Sequence, residues 1–242
     1  MNVLSIGNSF SRDAQRYLHE IAASEGEKIN SFNLYIGSCS LSRHYRNMLS
    51  GERAYFLDVN GFETEFQVSL KEALLNRDWD VVTLQQASGF STNFEHYEPY
   101  LSALCETVRR YAPKAKIVIH QTWSYEEGSA KLANLGYASQ KDMFSDLEKA
   151  YQKAYETVQA DALIPSGALF QRLLANGVEK IYRDTYHATL GLGRFALGLL
   201  WYASLTGKDV SSVSFSLFDQ SVSQGEVELA KKCAGELSTL IF

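Results

Sequence analysis

Ser9 follows a short strand-like segment, residues 2–6, at the start of the chain. A serine becomes a useful nucleophile when a base removes its proton and a third group orients that base. Asp184 and His187 stand three residues apart near the other end of the chain, and in a helical turn this spacing places both side chains on one face. The three residue types are those of nucleophilic acyl transfer.

Five short β-rich segments alternate with longer segments of helical period, and such an alternation is typical of a parallel sheet covered on both faces. We predict a single α/β domain over residues 1–242, a three-layer α/β/α sandwich with a mainly parallel, five-stranded sheet. The predicted strands lie near residues 3–6, 33–36, 80–84, 116–120 and 162–164. The predicted helices lie near residues 12–25, 41–49, 69–76, 97–111, 139–159, 167–175, 188–205 and 226–241.

The segment from 55 to 68 does not follow this order of alternating strands and helices, because its apolar and polar residues alternate around Asn60-Gly61. Asn-Gly is a strong signal for a two-residue hairpin turn. We therefore predict a small β-hairpin inserted near residues 55–68. Sites in open α/β sheets lie at the carboxyl ends of the strands, where this chain carries hydrogen-bonding residues.

These motifs resemble those of the SGNH hydrolase superfamily, also called GDSL esterases. That family has a G-D-S block after the first strand and a D-x-x-H block before the last helix; here they read Gly7-Asn8-Ser9 and Asp184-Thr185-Tyr186-His187. A glycine after the second strand matches Gly37. The chain looks most like a bacterial subgroup that begins G-N-S-F-S. The resemblance implies a flavodoxin-like SGNH fold with Ser9 as nucleophile, His187 as general base and Asp184 as its orienter.

The resemblance also implies an oxyanion hole in which the backbone N–H groups of Ser9 and Gly37 donate to the tetrahedral intermediate. The family's third block supplies an Asn side chain, but the matching stretch here contains Gln85 and Gln86 instead. Glutamine carries the same amide donor on a longer stem. Alternation along an extended segment allows only one of the two to face the site. We predict Gln85, with Gln86 as the alternate.

Other polar residues near the predicted strand ends are candidates for substrate contacts. Asn8 replaces the usual Asp of the first block, and His44 lies about two helical turns beyond Gly37. We predict substrate contacts for Asn8, His44 and Ser88. His120 and Gln121 end a strand and could border the cleft. Three aromatic residues could form one wall of it: Trp123, Tyr125 and Tyr186.

Composition limits the partners of this chain. The formal charge is −5, and no Lys/Arg cluster is present that could neutralise a phosphate backbone, so we expect no nucleic-acid partner. The longest strongly apolar stretch, residues 195–205, is shorter than the ~20 residues that a membrane span needs. No signal peptide is visible, which favours the cytoplasm; secretion or a periplasmic location would apply if the chain were a trimmed mature domain. Oligomeric state is left open.

Redox and cofactor chemistry are not indicated. Cys39, Cys105 and Cys233 are odd in number and widely spaced, a pattern typical of reduced, buried thiols. The His, Cys and carboxylate residues lack metal-ligand spacing, and Gly191-Leu192-Gly193 lacks the third glycine of a dinucleotide fingerprint. We expect no metal and no cofactor.

These residues predict a serine ester hydrolase that acts through an acyl-enzyme. The resemblance alone implies an acetylated carbohydrate as its substrate. Two alternatives stay open. The same triad could serve a thioesterase or lysophospholipase. The chain could also be a non-catalytic domain that binds a small ligand, because the Asn of the family's third block is missing.

Overall fold

A seven-stranded sheet forms the centre of the structure, a computed structural model that describes residues 1–238, 240 and 241. The strands are β1 (Asn2–Gly7), β2 (Asn30–Tyr35), β3 (Tyr55–Val59), β4 (Gln67–Val68), β5 (Val81–Leu84), β6 (Lys116–Gln121) and β7 (Ala162–Pro165). Their order across the sheet is β4-β3-β2-β1-β5-β6-β7. β2, β1, β5, β6 and β7 are parallel to one another, which confirms the predicted parallel sheet.

The other two strands come from the predicted hairpin. β3 pairs antiparallel with β2, and β4 pairs antiparallel with β3, so the hairpin extends one edge of the sheet and raises the strand number from five to seven. Asn60 and Gly61 both have positive φ at the turn. A Cβ on Gly61 would lie 2.1 Å from the carbonyl oxygen of Arg16, so only glycine fits there.

Helices cover both faces of the sheet. They are α1 (Ser9–Gln15), α2 (Leu18–Ser24), α3 (Leu41–Ser50), α4 (Leu70–Leu75), α5 (Tyr100–Tyr111), α6 (Ala130–Asn134), α7 (Gln140–Val158), α8 (Ser166–Ala175), α9 (Leu192–Thr206) and α10 (Gln224–Leu237). The helix predicted over 12–25 is two helices, and α6 lies in a segment for which no helix was predicted. Among the described residues, none of the helices has both the length and the apolar character needed to cross a membrane.

Two hydrophobic cores lie on opposite faces of the sheet, as alternation along the strands requires. Val3 belongs to the core beneath α1, α2, α8, α9 and α10, whereas Leu4 and Ile6 belong to the core beneath α3, α5 and α7. Helix α9 is buried on nearly all sides, which explains its apolar sequence. The segment before it, residues 183–188, is hydrogen-bonded to Asp13 of α1.

Candidate active site

Ser9 is held by the junction between β1 and α1. Asn8 caps the helix: its side-chain Oδ1 accepts a hydrogen bond from the Phe10 backbone N–H at 3.0 Å, and Ser11 Oγ accepts one from the Asn8 N–H at 3.0 Å. A Cβ on Gly7 would lie 2.0 Å from Ser11 Oγ, so a side chain there would break this cap. The strand therefore ends in a fixed turn with Ser9 as the first helical residue.

The structure brings Ser9, His187 and Asp184 together. Ser9 Oγ lies 2.8 Å from His187 Nε2, and His187 Nδ1 lies 2.7 Å from Asp184 Oδ2. The other carboxylate oxygen, Asp184 Oδ1, accepts a hydrogen bond from the His187 backbone N–H at 2.9 Å. With the imidazole Nδ1–H donating to the carboxylate, Nε2 is free to accept the serine proton. These distances are within hydrogen-bond reach for a nucleophile, a base and an orienter.

The Asp184–His187 segment is a tight loop, which corrects the predicted helical turn. An antiparallel bridge between Tyr182 and Ala188 closes the loop, and Thr185 has φ +75° at its tip. The physical reason is that a residue with φ +75° cannot continue a right-handed helical turn, and the bridge joins the chain on both sides of it.

Neighbouring elements fix this loop from outside. The Trp123 indole N–H donates to the Tyr186 carbonyl at 2.7 Å, and the Glu126 N–H donates to the Thr185 carbonyl at 2.8 Å. Trp123 is itself buried against Phe10 at a centroid distance of 4.3 Å. It is therefore part of the core that supports the loop, not part of the cleft wall that was predicted.

Electrostatics favour an ionised Asp184. Partial burial alone would raise the pKa of the carboxyl group, but the hydrogen bonds from the His187 ring and backbone outweigh it and lower the pKa below its ordinary value. The carboxylate is therefore charged at neutral pH, as an orienter of the imidazole must be.

A cavity of about 190 Å³ opens beside Ser9. Its polar and aromatic lining includes Ser9, Ser38, Ser88, Tyr125, Lys131 and Tyr186. Ser88 Oγ and the Tyr125 hydroxyl are 2.9 Å apart, and the tilted rings of Tyr186 and His187 contact each other with their centroids 4.0 Å apart. Lys131 Nζ lies 4.0 Å from the centroid of the Tyr186 ring. Two of the three predicted wall aromatics thus line the cavity, as does Ser88.

The side chains of Gln85 and Gln86 are bonded to other protein groups and do not point towards the predicted oxyanion position. Gln85 Nε2 donates to Asn8 Oδ1 at 2.7 Å, and its Oε1 pairs with His120 Nδ1 at 2.6 Å. Gln86 Nε2 donates to the His96 carbonyl at 2.8 Å, and its Oε1 accepts from the Leu41 N–H at 3.0 Å. Both side chains are buried and neither lines the cavity beside Ser9. The prediction that one of them points into the cleft is corrected for this reason.

A buried chain of hydrogen bonds runs from Asn8 through Gln85 to His120 and on to Ser166 Oγ, which lies 3.1 Å from His120 Nε2. Complete burial lowers the pKa of His120 to about 3, so its ring is neutral. His120 was predicted to border the cleft, yet it is fully buried beneath it. Asn8 is almost fully buried as well, although it reaches the cavity floor.

His44 does not reach the cavity. It is fully buried, stacks on Tyr55 at 5.6 Å, and its Nδ1 lies 3.0 Å from the Tyr55 hydroxyl and 3.6 Å from Cys39 Sγ. Burial, aided by the nearby Arg43 cation, lowers its pKa to about 3. The predicted substrate contact is corrected because the amphipathic helix α3 turns this residue inward.

The turn after β2 reaches the site through Ser38. Gly37 and Ser38 are both exposed, and Ser38, with φ +53°, lines the cavity. Gly37, for which an oxyanion contact was predicted, directly precedes Ser38 but is not itself among the residues that line the cavity. Sequence reasoning did not single out Ser38 or Lys131. A serine beside a predicted oxyanion glycine was the only available signal for the first, and Lys131 lies on the unpredicted helix α6.

Other possible sites lie away from the triad. A larger cavity of about 530 Å³ lies between the 213–224 segment and α10, and no triad residue lines it. Within the described part of the chain, no group of three or more His, Cys, Asp or Glu side chains is arranged to hold a metal. The free thiols of Cys39, Cys105 and Cys233 are all buried.

Comparison with known proteins identifies the family and the fold. The profile of the family described as "Domain of unknown function (DUF4886)" matches residues 2–236. A crystal structure of a DUF4886 family protein from Bacteroides uniformis is 30% identical, with a TM-score of 0.90, over 98% of this chain and 93% of that one. No curated protein sequence matches the chain.

More distant structures share the fold. A candidate SGNH hydrolase from Slackia heliotrinireducens is 21% identical with a TM-score of 0.57, over 98% of both chains. A candidate GDSL-like lipase from Parabacteroides merdae is 13% identical with a TM-score of 0.52, over 98% of this chain and 94% of that one. The resemblance to the SGNH superfamily is confirmed at the level of the fold.

Proposed function

The chain belongs to the DUF4886 family, and from the geometry of its site we propose that it is a serine ester hydrolase. The observation that carries the proposal is the continuous set of hydrogen bonds from Ser9 Oγ through His187 to Asp184, at 2.8 and 2.7 Å. The three residues come from distant parts of the chain. Their convergence beside a solvent-open cavity supports a catalytic rather than a purely structural role.

In the proposed first step, Ser9 Oγ attacks the carbonyl carbon of the ester while His187 Nε2 takes up the serine proton. The resulting imidazolium is stabilised by the Asp184 carboxylate. When the tetrahedral intermediate collapses, the bond to the alcohol oxygen breaks and His187 returns the proton to the leaving alcohol. The acyl group remains on Ser9 as an ester.

In the second step, water attacks the acyl-enzyme while His187 Nε2 takes a proton from it. Collapse of this intermediate breaks the bond to Ser9 Oγ, which regains the proton, and the carboxylic acid leaves. The oxyanion of each intermediate needs donors in fixed positions. We assign this role to the Ser9 N–H, which has no intrahelical acceptor at the first helical position, and to the backbone of the Gly37–Ser38 turn.

The size of the cavity favours a short acyl group such as acetyl. Pockets for drug-sized ligands occupy roughly 300–1,000 Å³, and this one is about 190 Å³. Its lining is rich in hydroxyl groups, which suits a polar alcohol such as a carbohydrate better than a long acyl chain. A lysophospholipase would need a longer apolar channel.

A fluorophosphonate probe tests the proposal. We expect one covalent adduct on Ser9, located by mass spectrometry, and hydrolysis of p-nitrophenyl acetate that Ser9→Ala abolishes. Ser50→Ala, which removes an exposed serine at the end of α3, is the control and is expected to keep both labelling and activity. If the wild type hydrolyses no ester and takes up no probe, the chain is a binding domain; if Ser9→Ala is as active as the wild type, another residue is the nucleophile.

A further inference from the structure

A buried carboxylate lies one helical turn beyond the nucleophile. Asp13 is on α1, four residues after Ser9, and its side chain is 0% exposed. Arg183 Nη1 donates to both of its oxygens at 3.0 and 2.9 Å, and Arg194 Nε donates to Oδ1 at 2.9 Å. The Ala188 backbone N–H donates to Oδ2 at 3.1 Å. A buried carboxylate requires such compensation by charge and hydrogen bonds.

The partners of Asp13 enclose the acid–base segment. Arg183 directly precedes Asp184, and Ala188 directly follows His187. The Arg183 guanidinium also donates to the Ala188 carbonyl, and the Arg183 N–H donates to the His187 carbonyl at 3.0 Å. One side chain on the nucleophile's helix therefore holds both ends of the loop that carries the base and its orienter.

We propose that Asp13 is a positioning residue that sets the distance between Ser9 Oγ and His187 Nε2. The proposal rests on the proposed esterase function. Asp13 touches neither member of the pair, but it joins the helix of one to the loop of the other through contacts on both sides of the triad residues. Displacing catalytic groups by about 1 Å can cost ~100-fold in rate.

The two oxygens of Asp13 have to be charged acceptors for this role. An asparagine offers one acceptor and one amide donor, so it cannot accept from Ala188, Arg183 and Arg194 together. Arg194 has a second carboxylate partner, Asp219, at 3.1 Å. Of these two carboxylates, Asp13 is the one bonded to Arg183 and Ala188, which stand at the two ends of the loop. This difference provides a matched control on the same arginine.

The experiment compares Asp13→Asn, Arg183→Gln and Asp219→Asn with the wild type. Asp219→Asn removes one carboxylate partner of Arg194 but leaves the contacts of Asp13 with Arg183 and Ala188. Arg183→Gln keeps the buried Asp13–Arg194 pair, so it tests the link to the loop if Asp13→Asn fails to fold. For each variant, kcat and KM for p-nitrophenyl acetate are measured together with the urea midpoint of unfolding.

We expect kcat to fall by ~100-fold in Asp13→Asn and Arg183→Gln, with KM within about twofold, and Asp219→Asn to keep kcat. The proposal is overturned if folded Arg183→Gln retains kcat, or if Asp219→Asn loses as much. A readout that needs no turnover is the NMR signal of the His187 Nδ1 proton. Where the wild type proves inactive on esters, loss or shift of this signal in Arg183→Gln supports the positioning role, and an unchanged signal rejects it.

Discussion

Gln85 donates a hydrogen bond from its side-chain Nε2 to Oδ1 of Asn8 across 2.7 Å. The same Asn8 oxygen accepts from the Phe10 N–H and so caps the helix that begins with Ser9. An amide at the end of β5 therefore supports the nucleophile indirectly, through the cap. His120 fixes the other end of the Gln85 amide at 2.6 Å, which leaves little freedom for a swing into the cleft.

This arrangement predicts how substitutions at Gln85 and Asn8 combine. If Gln85 acts through Asn8, Gln85→Ala lowers kcat in the wild type but has little further effect in an Asn8→Ala background. An oxyanion donor would behave differently, because its loss costs ~10²–10³ in kcat whatever residue caps the helix. A double-mutant cycle on kcat separates the two cases.

Gln86→Ala is the matched control for this cycle. Gln86 is equally buried and is bonded to Leu41, Ala87 and His96, so its loss is expected to reduce stability by roughly 1–3 kcal/mol without the same effect on kcat. Additive effects of Gln85→Ala and Asn8→Ala would contradict the indirect role.

Asp184→Asn is expected to lower kcat by up to ~10⁴-fold while the fold is retained. The amide can no longer accept from both the ring and the backbone N–H of His187, so the imidazole loses the tautomer that presents Nε2 to Ser9. Asp184 is 45% exposed, so its replacement should change the unfolding midpoint little. A residual rate within tenfold of the wild type would show that His187 needs no carboxylate.

Phe90 lines both the cavity beside Ser9 and a neighbouring cavity of about 180 Å³. Its side chain separates the two cavities and so limits the length of the acyl chain that fits beside Ser9. We expect kcat/KM for p-nitrophenyl octanoate to be at least tenfold below that for the acetate. Phe90→Ala joins the two cavities and should narrow this difference. Phe94→Ala is the control, because Phe94 lines neither cavity. A wild type that prefers octanoate would contradict the assigned short acyl group.

Lys131 is the one charged side chain that lines the cavity in the described part of the chain. We therefore expect a preference for esters with an anionic group. Lys131→Gln should lower kcat/KM for mono-p-nitrophenyl succinate by up to about fivefold, and added salt should have a similar effect. Neutral p-nitrophenyl butyrate and the distant variant Lys114→Gln are the controls. An equal loss on both esters would show that Lys131 acts on packing alone.

Local patterns along the chain were sufficient for much of the fold. The strand that leads to Ser9 and the Asn60-Gly61 hairpin were both predictable, because alternation and turn chemistry depend on near neighbours. The number of strands in the sheet was not predictable, since the sequence does not show whether the hairpin pairs with the sheet. Whether it pairs with β2 depends on contacts that no local pattern specifies.

The sequence predicted which types of residue form the site, but it did not predict the hydrogen bonds that these residues make. The segment at Asp184 is a loop because Thr185 has φ +75° and Tyr182 pairs with Ala188 across it, and the D-x-x-H spacing specifies neither feature. The role of Gln85 depends on side chains from β1 and β6, which are far apart in sequence. Such contacts are decided by packing after the sheet has formed.

The last prediction concerns acid stability. Burial lowers the pKa of both His44 and His120 from 6.5 to about 3, so the folded protein leaves them neutral in a range where the unfolded chain protonates them. The unfolded state then binds more protons, and the free energy of unfolding falls as the pH drops from 6.5 towards 3. Each histidine should contribute a slope of about 1.4 kcal/mol per pH unit.

Urea unfolding of the wild type and of His44→Gln, His120→Gln and the double variant between pH 6 and pH 4 measures these slopes. We expect the pH slope of the free energy of unfolding to be smaller by about 1.4 kcal/mol per pH unit in each single variant, and by twice that amount in the double variant. A double variant with the wild-type slope would mean that the acid sensitivity arises from the carboxylates instead.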